Sequence, residues 1–346
     1  MMQIGDRTVG SMHPVYVIAE IGVNHDGDPS RALELTDAAA DAGADAVKLQ
    51  LFETDRLMSS AAKLAAYQKS AGEQDPLSML RRLELSIDDM APIVERAHSR
   101  GVHALVSVFS VELVDDATTL PWDAFKTASP DIINKPLLEA LAGTGLPLII
   151  STGASTLGEV ERALTWLTPI RDRLAVLQCV SSYPTSPEDA SLDGIAALED
   201  IVDGPVGYSD HCTGVLVGGD AVEAGAAILE KHLTYDTRAT GPDHAASLDP
   251  ASFHTYVEIA RSRIHGATRH VGEKRLLPAE HDVRTVSRQS LTTARPIAAG
   301  QTIDPGDLTI KRPGTGIEPF RLNEIIGRVT RSALEADVPL VDEHLQ

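Results

Sequence analysis

The sequence has little cysteine, few aromatic residues and no long apolar run. Its two cysteines, Cys179 and Cys212, exclude a disulfide framework, so a reducing, cytosolic location is expected. Aromatic residues make up only 4% of the chain, so aliphatic side chains must fill the core. No segment is long and apolar enough to span a bilayer, and the first residues lack the pattern of a signal peptide, so no membrane partner is expected.

Positive charge is also scarce, because 30 Lys and Arg residues face 50 Asp and Glu residues, which gives a net charge of −20. Nucleic-acid binding needs a basic surface, so this class of function is excluded. A small anionic substrate is compatible with this charge where a local group of lysines and arginines overrides the negative electrostatic field of the whole protein.

Eight short apolar runs alternate with segments of helical periodicity, which predicts a parallel sheet closed into a (β/α)₈ TIM barrel over residues 1–267. The alternative is an open doubly wound sheet, which the lack of a GxGxxG motif after the first run disfavours. The helical segments include residues 29–42, 157–167 and 250–264. The predicted strands are residues 16–20, 46–51, 103–108, 124–127, 146–151, 174–178, 206–209 and 228–231.

The composition changes after the predicted barrel. Residues 268–287 are polar and lack periodicity, so they are expected to form a linker. Residues 288–346 contain short alternating runs and turns, which predict a small β-rich domain. With little room for a core of its own, this domain should lean on another surface.

In a barrel of this type, chemistry takes place at the C-terminal ends of the strands. Lys48, Lys126 and Lys231 all lie in apolar strands, where a lysine is costly unless it is paired or bound to an anion. Three lysines around one mouth, with several Ser and Thr hydroxyls, suit a ligand that carries both a phosphate and a carboxylate.

His211 and His232 follow the last two strands, which would bring their imidazoles together. Each alone is more often structural, but a pair with open positions suits a catalytic Mn²⁺, Mg²⁺ or Zn²⁺. Glu20, which ends the first strand, could pair with a lysine or cap a helix, or it could act as a general acid/base. Spacing leaves both interpretations of Glu20 open.

The ordered motifs of the chain resemble those of the N-acetylneuraminate synthases and their bacterial relatives, almost from end to end. The tail, with KRPGTGI, resembles the antifreeze-like (SAF) domain of that family. The barrel motifs that carry the resemblance include VIAEIGVNHDGD, AFKTASPDIINKPLLE, LQCVSSYPT, GYSDHCTG and ILEKHLTYD.

This resemblance implies a metal-dependent condensation of phosphoenolpyruvate with an open-chain 2-acylamino hexose, giving a nonulosonic acid and phosphate. His211 and His232 match the metal ligands, with Mn²⁺ favoured, and Glu20 matches the catalytic carboxylate. The implied sugar end consists of Gln50, Tyr183, Asp243 and Arg312. The implied phosphoenolpyruvate pocket consists of Lys48, Ser107, Lys126, Ser129, Ser151, Ser181 and Ser209.

Arg312 resembles the SAF-domain arginine that reaches a partner's barrel, so the resemblance implies a homodimer with exchanged SAF domains. Val108, Ser181 and Gln178 depart from residues common in relatives, which suggests a changed sugar. The sugar is expected to be neutral, because no extra basic cluster for a sugar phosphate is visible. Two other functions stay open: a lyase with a Schiff base on Lys126 or Lys231, and a non-catalytic binding protein.

Overall fold

The computed structural model describes residues 1–268 and 271–346. Eight parallel strands close into a barrel in which each strand pairs with the next one along the chain and the last pairs with the first. The predicted TIM barrel is therefore confirmed and the open sheet is wrong. The strands are β3 (Tyr16–Glu20), β4 (Ala46–Leu51), β5 (His103–Val108), β6 (Ala124–Thr127), β7 (Leu148–Ser151), β8 (Leu174–Cys179), β9 (Val206–Asp210) and β10 (Ile228–His232).

The predicted strand bounds differ from the structure in only a few places. Strand β7 begins at Leu148, two residues later than predicted, because Pro147 has no N–H and only its carbonyl can pair, with the Phe125 N–H at 2.9 Å. The last three barrel strands each extend one residue further, to Cys179, Asp210 and His232.

Side chains alternate between the two faces of each barrel strand. On β10, Ile228 belongs to the inner cluster at the bottom of the barrel, whereas Leu229 packs in the outer layer against the helices. A hairpin of β1 (Met2–Ile4) and β2 (Arg7–Val9), which the sequence did not predict, adds Met2, Ile4 and Val9 to the inner cluster and closes that end. The other end stays open as the mouth.

Helices surround the barrel and begin at clear capping signals. Asp28 caps the helix that starts at Pro29, and Thr156 forms a capping box with Glu159. None of the helices in the described part of the chain is long and apolar enough to cross a membrane. They are α1 (Pro29–Asp41), α2 (Thr54–Leu57), α3 (Ala66–Ser70), α4 (Pro76–Leu83), α5 (Ile87–Ser99), α6 (Val114–Ala117), α7 (Lys135–Gly143), α8 (Leu157–Trp166), α9 (Asp193–Glu199), α10 (Val217–Glu223), α11 (Pro250–Ser262), α12 (His281–Ser287) and α13 (Leu322–Ile325).

The C-terminal domain contains the antiparallel pair β11 (Ser290–Thr293) and β12 (Leu308–Lys311). It has a small core of its own, built from Leu and Ile side chains such as Leu291 and Ile325, which is more than the sequence led us to expect. As predicted, it also leans on another surface: the Arg312 N–H donates to the Leu57 carbonyl of the barrel domain at 2.8 Å.

The predicted linker is partly ordered secondary structure. A 3₁₀ turn at Pro278–Glu280 leads into α12, and both pack against the barrel. Arg269 and His270, which fall within the predicted linker, lie outside the described residues. The domain limits drawn from the sequence stay predictions.

Candidate active site

The barrel mouth holds a cavity of about 130 Å³. Every residue that the family resemblance implies for the site lines this cavity, and the role of each stays a prediction. They are Glu20, Lys48, Gln50, Ser107, Lys126, Ser129, Ser151, Ser181, Tyr183, Ser209, His211, His232, Asp243 and Arg312.

Two carboxylates and two lysines, all buried, form the floor of the mouth. Glu20 pairs with Lys48, and Glu230 lies 3.9 Å from Lys48 Nζ and 3.5 Å from Lys126 Nζ. Burial raises the pKa of Glu20 in spite of Lys48 beside it. Burial acts in the same direction on Glu230, but Lys126 and Lys48 outweigh it and lower the pKa of Glu230 to about 2. Glu20 is therefore suited to carry a proton, whereas Glu230 stays ionised.

Lys231 does not belong to the mouth, so the prediction of three lysines around it is wrong. Glu230 and His232 point inward, and strand alternation sends Lys231 to the outer face of β10. There its Nζ contacts the Cys212 carbonyl and lies 3.4 Å from Asp210 Oδ2, with both side chains fully buried. Its charge is thus compensated within the wall of the barrel.

The serines of the predicted phosphoenolpyruvate pocket surround the two inward lysines. Ser107 Oγ accepts a hydrogen bond from Lys48 Nζ at 3.0 Å, and Ser209 Oγ donates to Glu230 at 2.9 Å. On the other side, Ser129 Oγ accepts from the Gly153 N–H at 2.9 Å. Hydroxyls and ammonium groups therefore face one space, as binding of a doubly anionic ligand requires.

The two histidines lie side by side, with ring centroids 5.5 Å apart. His211 Nδ1 donates to the Val180 carbonyl at 2.8 Å, which leaves its other ring nitrogen free for a ligand. Burial and His211 hold the pKa of His232 well below its usual range, so this imidazole is neutral, as a metal ligand must be.

The His232 Nδ1 atom is buried and makes no hydrogen bond among the described residues, with the Asp243 carboxylate 3.7 Å away. Across residues 1–268 and 271–346, no set of three or more His, Cys, Asp or Glu side chains is arranged to hold a metal. The pair fits an open site, in which water and substrate oxygens complete the coordination, rather than a closed structural one.

The residues predicted to bind the sugar lie above this floor. Gln50 Nε2 donates to Glu20 at 3.3 Å, and the Tyr183 ring lies against His211, with centroids 4.1 Å apart. The Arg312 guanidinium is 5.6 Å from the centre of the Phe109 ring. Arg312 lines the mouth, and its supply by a partner subunit stays a prediction.

Several residues of the cavity wall were not predicted for the site, among them Glu230, Cys179 and Tyr67. The inward position of Glu230 could have been found from alternation on β10, because it shares a face with His232. Cys179 lies in the wall with Sγ 3.7 Å from His211 Nδ1. Tyr67, on the short helix α3, stacks on Tyr183 at 4.9 Å, and no periodic signal marks it.

Comparison with known proteins identifies the same two parts. The profile of the NeuB family matches residues 35–271, and that of the SAF domain matches residues 288–346.

Similar proteins match over nearly the whole chain. The N,N'-diacetyllegionaminic acid synthase of Legionella pneumophila is 38% identical, covering 99% of this chain and 98% of its own. The N-acetylneuraminate-9-phosphate synthase of Mus musculus is 32% identical, covering 98% and 95%. The crystal structure of the spore coat polysaccharide biosynthesis protein spsE from Bacillus subtilis superposes with a TM-score of 0.84 at 29% identity, covering 100% and 99%.

Proposed function

Because this chain belongs to the NeuB family, we propose that it condenses phosphoenolpyruvate with an open-chain 2-acylamino hexose and water. The products are a nonulosonic acid and phosphate. One observation carries the proposal: Lys48 and Lys126, ringed by serines, lie in the same cavity as Glu20 and the two histidines. The relatives named as synthases of legionaminic and neuraminic acids support it.

The phosphoenolpyruvate end is built for an anion inside an acidic protein. Lys48 and Lys126 are already partly balanced by the ionised Glu230, so the incoming phosphate and carboxylate also need the serine hydroxyls and nearby backbone N–H groups. A pocket that excludes water strengthens each of these contacts. We infer that the ligand's anionic groups lie against the two lysines and its C3 faces the sugar end.

The site also fits a divalent ion, Mn²⁺ being the favoured candidate, which His211 and His232 would hold. Such an ion supplies Lewis acidity, which makes the aldehyde carbon of the sugar more electrophilic. The proposed roles of the protein side chains concern protons and orientation, and Glu20 is central to both.

Glu20 carries the proton through the reaction. C3 of phosphoenolpyruvate attacks the aldehyde carbon, and Glu20 donates its proton to the aldehyde oxygen as the C–C bond forms. The ionised Glu20 then takes a proton from the water that adds at C2. The C2–O bond to phosphate then breaks and the C2 hydroxyl becomes a carbonyl, its proton passing to the departing phosphate. Glu20 is left protonated, as at the start. Glu230 stays ionised throughout and keeps Lys48 and Lys126 charged.

The sugar is proposed to be neutral. Among the described residues that line the mouth, Arg312 is the single lysine or arginine beyond the floor lysines, and it is proposed to hold the acyl group. Met79, Leu80 and Leu83 form part of the wall. An apolar wall favours a diacetamido-trideoxy hexose, which has a methyl group at C6, over N-acetylmannosamine or its 6-phosphate.

The homodimer with exchanged SAF domains stays a proposal, as does the cytosolic location. The contact between the Arg312 backbone and Leu57 and Ser59 would be the same whether the SAF domain comes from its own chain or a second one. Light scattering of the full-length protein measures the oligomeric state, and a monomer would contradict the exchange.

The test of the proposed function is phosphate release from phosphoenolpyruvate by the full-length protein across a panel of sugars. Release should need a divalent ion and an acylamino sugar together, with the trideoxy diacetamido sugar preferred. Phosphate release without any sugar, or no release with every sugar, would contradict the proposal.

A Schiff-base lyase remains the second candidate because burial lowers the pKa of Lys126, which favours a nucleophilic amine. Borohydride trapping with substrate tests it, with Lys126→Met as control. A covalent adduct that disappears in this variant would favour the lyase. Lys231 is no longer a candidate nucleophile, because it faces away from the cavity.

A further inference from the structure

A buried glutamate of the linker holds two loops at the mouth. Glu280, which ends the 3₁₀ turn before α12, is 1% exposed. Its Oε1 atom accepts the Ala154 N–H at 2.6 Å and the Ser181 N–H at 2.8 Å, and its Oε2 accepts the Leu277 N–H at 2.9 Å. Ala154 follows β7 and Ser181 follows β8, so one carboxylate ties together the ends of two neighbouring strands.

Ala154 adopts a backbone conformation that a residue with a Cβ rarely takes, with φ of +50°. Side chains of the linker, together with Arg288 at the start of the C-terminal domain, hold both the N–H and the carbonyl of Ala154. Glu280 accepts from its N–H, and Arg284 Nη1 and Arg288 Nη2 donate to its carbonyl at 2.6 and 3.2 Å. The two arginines are themselves fixed by Glu159. The unfavourable turn therefore depends on contacts from outside the barrel.

This turn is packed into the phosphoenolpyruvate pocket. Gly153, the preceding residue, donates its N–H to Ser129 Oγ. A Cβ atom on Gly153 would lie 2.2 Å from Ser181 Oγ and 2.9 Å from Ser129 Oγ, so the turn packs directly against both hydroxyls.

We propose that Glu280 is a positioning residue for phosphoenolpyruvate, acting with Arg284 and Arg288 through the Ala154 turn. Docking of the linker, and with it the SAF domain, is then coupled to occupancy of the phosphoenolpyruvate pocket. The coupling is reciprocal, so phosphoenolpyruvate stabilises the docked linker to the same extent. This inference rests on the proposed function.

Asp282, two residues further along, provides a matched comparison. Its Oδ2 accepts the Ala66 N–H at 2.7 Å, at the start of the helix α3 that carries Tyr67. Asp282 therefore holds a loop at the sugar end, whereas Glu280 holds loops at the phosphoenolpyruvate end. If a substitution merely loosened the linker, binding of both substrates would be weakened alike. If Glu280 positions the loops at the phosphoenolpyruvate end, its replacement should weaken binding of phosphoenolpyruvate alone.

The test is steady-state kinetics of full-length variants, with each substrate varied in turn. Glu280→Gln keeps the shape of the side chain but loses the charge that both N–H groups face. We expect its KM for phosphoenolpyruvate to rise about tenfold, with kcat and the sugar KM within about twofold of wild type. Asp282→Asn should raise the sugar KM instead. Glu273→Gln, at an exposed linker position, should change neither.

A second measurement does not depend on turnover. Phosphoenolpyruvate should raise the Tm of the wild type, and this increase should shrink in Glu280→Gln and, to a smaller extent, in Arg284→Lys. Arg284→Lys covers the case in which Glu280→Gln fails to fold. An unchanged KM for phosphoenolpyruvate, or equal shifts for both substrates in Glu280→Gln and Asp282→Asn, would overturn the inference. A wild type that neither binds nor consumes phosphoenolpyruvate would instead refute the proposed function.

Discussion

Replacing Lys231 with methionine tests the position of this side chain on the outer face of β10. Lys231 and Asp210 are both fully buried, with Nζ and Oδ2 3.4 Å apart. Removing the lysine leaves the Asp210 carboxylate buried without its cation, which costs about 3–5 kcal/mol. In a chain of this length a loss of that size lowers the Tm by roughly 5 °C.

The matched variant is Lys126→Met, which removes a lysine from the inner face of β6. A hydrogen bond to a charged group contributes about 1.5–3 kcal/mol, so the KM of Lys126→Met for phosphoenolpyruvate should rise by at least about tenfold. For Lys231→Met we expect a KM within about twofold of wild type, since Lys231 does not reach the cavity. Calorimetry gives the two Tm values, and phosphate release gives the two KM values.

A double variant separates loss of the pair from loss of packing. Adding Asp210→Asn to Lys231→Met removes the unpaired charge, and the asparagine oxygen can still accept the Cys212 N–H that Asp210 accepts at 2.8 Å. Most of the lost Tm should return. The reasoning is refuted if Lys231→Met raises the KM for phosphoenolpyruvate as much as Lys126→Met does while the Tm stays at the wild-type value.

Three further predictions concern residues in or next to the barrel mouth. His211→Ala should lose bound Mn²⁺ in equilibrium dialysis, and retention of the wild-type amount would contradict the ligand assignment. Burial raises the pKa of Asp131 to about 7, so its contribution to stability is lost as pH rises from about 4 to about 7. The Tm of the wild type should therefore fall over this pH range, and the fall should be smaller in Asp131→Asn. An equal fall in both proteins would contradict the prediction. Gly153→Ala should raise the KM for phosphoenolpyruvate by on the order of tenfold through its clash with Ser181, whereas Gly158→Ala, with nothing near the added Cβ, should not.

The fold could be predicted because its signals are local. Apolar runs of strand length separated by helical segments are enough for a closed parallel barrel, and Asp28-Pro29 marks a helix start directly. The candidate site was equally accessible, because in a barrel the strand ends meet at one mouth wherever they lie along the chain. Glu20, Lys48 and His211 therefore converge as expected.

It was harder to predict from the sequence whether a strand side chain faces the interior of the barrel or the surrounding helices. Lys231 was expected at the mouth because it lies in an apolar strand, near the C-terminal end of that strand. Alternation along β10 excludes that position, but only the tertiary structure shows that Asp210 of β9 and Tyr256 of α11 are there to receive the charge.

Long-range contacts were decided by the tertiary structure alone. Glu280 and Arg284 lie in a polar segment without periodicity, and nothing local marks them as partners of Ala154 and Glu159, more than a hundred residues earlier. Sequence patterns reflect which residues of a segment face water and how the segment interacts with residues near it along the chain. The partner of a buried charge depends on which distant backbone groups the closed barrel leaves unpaired.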